Sequence, residues 1–167
     1  MTDKTLDNVF ILLGALGALI LVGGLATTVP KTYYVAGSFL LLLTAIHYRL
    51  IFFIALELIM FSGHGAVILG IGPRLQLALP ILLCVQLLIY YVLNRQLNNI
   101  YIVIGIIGIA LLSIGFAYEN QWLSFIGSLS IAFYATFLGY REQKIIYLWT
   151  ILNFILALVA LNNIYTA

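Results

Sequence analysis

The chain has 167 residues, of which 65% are hydrophobic and 7% charged, with a formal net charge of +2; an ordinary soluble domain is about 45–50% apolar and about 25% charged. So few polar side chains cannot cover a compact domain of this size without leaving large apolar patches in water, which excludes a water-soluble globule. Scattered basic residues give nucleic-acid binding no support, and the single cysteine, Cys84, excludes an intramolecular disulfide.

Seven apolar runs follow one another: Val9 to Thr27, Tyr33 to Ile46, Leu50 to Ile71, Leu75 to Leu93, Ile100 to Tyr118, Trp122 to Leu138 and Ile145 to Ile164. Backbone groups in hydrocarbon must be satisfied within their own segment. Continuous Leu- and Ile-rich runs also lack the alternation of barrel strands, so every run is expected to be a helix. The second and sixth runs are short for a bilayer that takes about 20 residues per crossing, which leaves six or seven crossings open. The breaks combine turn residues with charges or amides: Thr28-Val29-Pro30-Lys31, His47-Tyr48-Arg49, Gly72-Pro73-Arg74, Asn94-Arg95-Gln96, Glu119-Asn120-Gln121, and Gly139 to Lys144. Asp3, Lys4 and Asp7 ahead of the first run, and Gly24-Leu25-Ala26 near its end, make a poor cleavable signal, so that run is expected to remain.

The order of residues recurs. Leu6-Asp7-Asn8-Val9-Phe10-Ile11 laid over Leu97-Asn98-Asn99-Ile100-Tyr101-Ile102 brings Gly14, Gly17 and Gly24 onto Gly105, Gly108 and Gly115 without a gap. One residue of slip puts Gly37-Ser38 on Gly127-Ser128, and a compensating slip puts Tyr48-Arg49 on Tyr140-Arg141. The expected fold class is an all-α integral membrane protein, a seven-helix bundle of two parallel three-helix repeats, 1–71 and 97–167, joined by a linker helix in 72–96. With seven crossings, Lys4, Arg49, Arg95, Arg141 and Lys144 fall on one side and Lys31 and Arg74 on the other, which places the amino terminus in the cytoplasm; the membrane expected is a bacterial-type inner membrane.

Chemistry-bearing residues are few. The glycines fit tight helix packing. Glu57 is the acidic residue deep in an apolar run, where an ionisable group is costly unless it faces an interior or a wet cavity. His64, seven residues on, lies within about 20 degrees on the same helix face and about 10.5 Å along the axis. The pair reads as a proton relay, a substrate counter-charge or half a metal site, and Glu57 alternatively as a protonated structural carboxyl hydrogen-bonded between helices. His47, Glu57 and His64 lack the close helical pairing of metal ligands, so neither a metal nor a cofactor is expected. His47 itself fits the headgroup boundary. Trp149 and Asn153, spaced i,i+4, suit a ring-bearing polar ligand, the indole stacking and the amide satisfying a donor or acceptor, or equally an interior packing residue and an interhelical hydrogen bond. By the repeat register Trp149 is the counterpart of about Glu57. On the linker helix Gln86 and Tyr90, also i,i+4, form a polar stripe for a pore or a partner helix, and Pro80 implies a kink or late start. Ser128, Ser130, Tyr134 and Thr136 are expected to bond back to their own helix or a neighbour. No nucleophile elbow, phosphate loop, zinc-protease motif or paired cysteines occur, so an enzyme has no positive support.

Three helices, a linker and three more, with Val29-Pro30-Lys31 closing the first helix, resemble the SWEET and nicotinamide riboside (PnuC-type) transporter group. Lys144-Ile145-Ile146-Tyr147-Leu148-Trp149-Thr150-Ile151-Leu152-Asn153 resembles the tryptophan-rich, asparagine-ended helix of the riboside transporters, with Ile146 where a second tryptophan would stand. The resemblance implies movement of a small polar, nucleoside- or vitamin-like solute through a central site that includes Trp149 and Asn153. Glu57, His64, Gln86, Tyr90, Trp149 and Asn153 are the expected substrate-binding set, in a facilitator or proton-coupled carrier working by alternating access. The lipid bilayer and the solute are its partners, and self-association stays open. An integral scaffold or accessory subunit is the alternative, and a small intramembrane enzyme using Glu57 and His64 as acid and base a third reading.

Overall fold

The computed structural model describes residues 3–25, 27, 30–97 and 99–166. The Thr28-Val29 part of the first break, and Asn98 of the repeat alignment, lie outside them. Helices account for nearly all of the described chain, and no strand occurs among these residues. Helices α1 (Asp3–Gly24), α2 (Pro30–His47) and α3 (Ile51–Ile68) are followed by a single turn, α4 (Pro73–Gln76), and by α5 (Ala78–Leu93). Then come α6 (Ile100–Ala117), α7 (Gln121–Arg141), a 3-10 turn at Lys144–Ile146, and α8 (Tyr147–Thr166). Six segments are long and apolar enough to cross a membrane: α1, α3, α4 with α5, α6, α7, and α8 with its 3-10 turn. The exception is α2, whose Pro30-Lys31-Thr32-Tyr33-Tyr34 start dilutes its apolar content.

The helix ends follow from the punctuation. Asn99 and Asn120 each accept a backbone N–H of the helix they precede, at 3.1 Å. Helices α2, α3, α5 and α6 end where Arg49, Gly70, Arg95 and Glu119 take left-handed backbone angles of 54 to 72°. The N–H of the next residue then reaches back five positions to a carbonyl of the last turn, as from Leu50 to Ala45 at 2.9 Å. Three of the four left-handed positions carry a charged residue where glycine fits best.

The chain divides into two compact units, Met1–Gly72 and Pro73–Ala167, so α5 groups with the second unit. In the first, α2 packs against both α1 and α3. Backbones touch where glycines face each other: a Cβ on Gly37 would lie 2.7 Å from the Gly17 carbonyl oxygen and 2.6 Å from Leu21. Near the amino-terminal end of α1 the Thr44 hydroxyl donates to the Phe10 carbonyl at 3.2 Å. The His47 ring stacks on Phe10 at 4.0 Å, and its Nε2 lies 2.8 Å from Asp7 Oδ1. Tyr48 donates its hydroxyl to the Asp7 carbonyl at 3.1 Å; burial and the neighbouring carboxylate raise the pKa of that phenol above its ordinary 10.

In the second unit α7 packs against both α6 and α8. A Cβ on Gly127 would lie 2.8 Å from the Gly108 carbonyl oxygen and 2.5 Å from the Leu112 nitrogen. Gly115 sits against Ser124 as Gly24 sits against Tyr33 and Tyr34. Tyr101 stacks on Phe137 at 3.9 Å, with the Arg141 guanidinium 5.3 Å above the Phe137 ring. Helix α5 joins through a hydrogen bond between Tyr91 and Tyr134.

Burial follows the same numbering. The buried positions of α1, Gly14, Gly17, Leu21 and Gly24, have buried counterparts 91 residues on at Gly105, Gly108, Leu112 and Gly115. All six buried residues of α2, from Gly37 to Ala45, have buried counterparts 90 residues on, from Gly127 to Ala135.

Candidate functional site

Helix α3 buries its carboxyl and imidazole: Glu57 is 2% and His64 5% exposed. The 3.6-residue repeat places both on the face that also buries Phe53 and Leu56. His64 sits at the end of α3 where α2 begins, its ring 4.8 Å from that of Tyr34, and the charge of Lys31 bears on it. The first unit therefore holds an acid deep in α3 and, two turns on, a histidine within a small cluster of Tyr34 and Lys31.

Helix α8 buries Trp149 completely and leaves Asn153 3% exposed. The Asn153 amide nitrogen donates to the Trp149 carbonyl at 3.0 Å, which fixes its rotamer along the helix. Glu57 and His64 belong to one unit and Trp149 and Asn153 to the other. On the linker, Gln86 and Tyr90 are exposed along α5, and Pro80 lies in its first turn, the late start rather than a kink. Cys84 is half-buried and unpaired in a disulfide.

The third helices match in a different register from the one spacing suggests. Leu50, Phe53, Leu56, Glu57 and His64 are buried, and so are Ile146, Trp149, Leu152, Asn153 and Ala160, each 96 residues on, whereas the buried Phe52 and Ile59 fall on the half-buried Leu148 and Ile155. At that spacing Asn153 stands opposite Glu57 in the numbering, and Trp149 opposite Phe53. The offset grows because α2 stops at His47 while α7 runs on to Arg141 before its 3-10 turn. Position 139, ninety beyond the left-handed Arg49, is a helical glycine under the Tyr147 ring, so the Tyr48-Arg49 and Tyr140-Arg141 pairing is not a structural one.

Ser130 and Thr136 bond back to Ile126 and Ala132 carbonyls at 2.8 Å, as expected, and Tyr134 bonds to Tyr91. Ser128 differs. Its hydroxyl is buried without a hydrogen-bond partner, and so is that of Ser38, ninety residues earlier. Each lies one residue past the glycine at which the helices touch.

An open groove of about 540 Å³ runs along the second unit between α6, α7 and α8. It is lined by Tyr101, Phe133, Phe137, Tyr140, Tyr147 and Phe154 together with Leu129, Ala132, Thr136 and Thr150. Neither this groove nor the two ring stacks emerges from reading the runs singly. Carrying the offset to the ends of the helices would have found the stacks, since Phe10 and Tyr101 are 91 apart and His47 and Phe137 are 90 apart. Among the described residues no three His, Cys, Asp or Glu side chains come together as metal ligands would. Compared with known protein families, with curated proteins and with solved structures, the chain matches none.

Proposed function

We propose that the chain is a carrier for a small polar, nucleoside- or vitamin-like solute, built from two parallel three-helix repeats and lodged in a bacterial inner membrane with its amino terminus in the cytoplasm. The observation that supports it is the recurrence of one packing scheme, glycine seam, buried stripe and ring stack together, at offsets of 91 and 90 residues. A linker helix between two triplets gives both the same orientation in the bilayer, the arrangement in which one repeat rocks against the other around a central site. The reading draws on the third helices, which bury a carboxyl at Glu57 in the first unit and, in the second, an amide at Asn153 with the Trp149 indole one turn before it. The carboxyl carries the coupling proton or the counter-charge, and the indole and amide read the solute.

The test is counterflow of labelled nicotinamide riboside and common nucleosides in proteoliposomes containing the full chain. Wild-type protein exchanges at least one of them. Glu57→Gln and Trp149→Ala abolish exchange at unchanged membrane yield. Exchange retained in both variants removes these residues from the site, and no exchange of any solute removes the carrier.

A further inference from the structure

We propose that the groove of the second unit seats one acyl chain of an anionic phospholipid, with the headgroup phosphate held by Arg141. Its shape carries the first step. Along α7 the lining runs from Tyr140, at the helix end, back to Leu129. Eleven residues of helix span about 16 Å, close to the depth of one leaflet in a hydrocarbon core about 30 Å thick. The groove therefore opens where the helices end and stops near mid-bilayer, as a single fatty chain does.

Charge complementarity carries the second. The mouth lies at the end of the unit where α6 begins and α7 finishes, because Tyr101 stacks on Phe137 there. The two connections at that end hold Arg95, Arg141 and Lys144 against Glu142, all exposed. Arg141 is the cation fixed to the groove itself, its guanidinium held over a lining ring. A planar guanidinium on an aromatic face keeps its N–H groups free for a phosphate, and aromatic rings at helix ends suit the headgroup level. The first unit has Leu43, His47, Ile51 and Leu58 at the positions matching Phe133, Phe137, Tyr147 and Phe154, so the aromatic lining is peculiar to the second.

The experiment is native mass spectrometry of the purified full chain with dioleoyl phosphatidylglycerol or dioleoyl phosphatidylcholine. The anionic lipid is retained about fivefold over the zwitterionic one, the preference that one basic side chain near a membrane surface gives. Arg141→Gln brings the ratio to about one. Thr136→Trp, which fills the groove from an exposed position, loses both lipids. Equal retention by the wild type, a preference that survives Arg141→Gln, or wild-type retention in Thr136→Trp overturns the proposal. The result stands apart from the carrier reading, because it requires no transport.

Discussion

The two units solve one packing problem with different chemistry at their ends. In the first, the ring that closes α1 onto α2 is His47, tied to the Asp7 carboxylate; in the second it is Phe137, covered by Arg141. Both rings stack on an aromatic residue of the preceding helix, 4.0 and 3.9 Å away. The shared stack holds the helices together, whereas the polar partner is replaceable. The seam is not, since backbone meets backbone there.

The largest effect should fall on that seam. Gly37→Ala and Gly127→Ala force a methyl to 2.7 and 2.8 Å from a facing carbonyl oxygen. Each should cost about 1–3 kcal/mol, read as a lowered Tm in detergent. Gly23→Ala, which meets nothing within 4 Å, is the control and should leave Tm unchanged or slightly raised. Tolerance at one seam glycine and collapse at the other would break the equivalence of the units.

A smaller effect is expected at the ring stacks. His47→Phe gives the first unit the ring of the second and removes the pair with Asp7, whose side chain is half exposed. The cost should be at most about 1 kcal/mol by thermal unfolding, because screened surface pairs contribute little. His47→Ala removes the stack as well and should cost more. Equal losses in the two variants would show that the bond to Asp7, not the ring, closes that end.

The smallest effect sharpens the comparison from inside. Ser38→Ala and Ser128→Ala remove hydroxyls that have no partner, so each should change stability by under about 0.5 kcal/mol, and in the same direction. A loss well above 1 kcal/mol in either would mean that the hydroxyl is bonded.

Much of this was legible in the residues. Hydrocarbon forces helices, so all seven runs became helices. The glycine spacing of α1 and α6 marked the faces that touch, because a missing side chain is what close approach requires. The third helices were less so. Their register depends on how far α7 continues past the point where α2 stops, and that is set by the left-handed Arg49 in one unit and the packing of Gly139 under Tyr147 in the other. Arginine gives no hint that it will take such a conformation. The exposure of Gln86 and Tyr90 was equally hidden, since a polar stripe on a helix looks the same whichever way it turns. The groove was illegible because its wall is assembled from three helices.

The two helices in the middle of their triplets are the least apolar: α2 falls short of a crossing by composition, and α7 is the least hydropathic of the six that qualify. Each is flanked by two oily neighbours that cover its buried hydroxyls, Ser38 and Thr44 in α2 and Ser124 and Ser128 in α7, once the triplet has assembled. During synthesis that shelter does not yet exist when α2 emerges from the ribosome. For α2 to cross a bilayer, α1 must already be waiting there or α3 must arrive with it, and the unit of insertion is then the helical hairpin rather than the single helix.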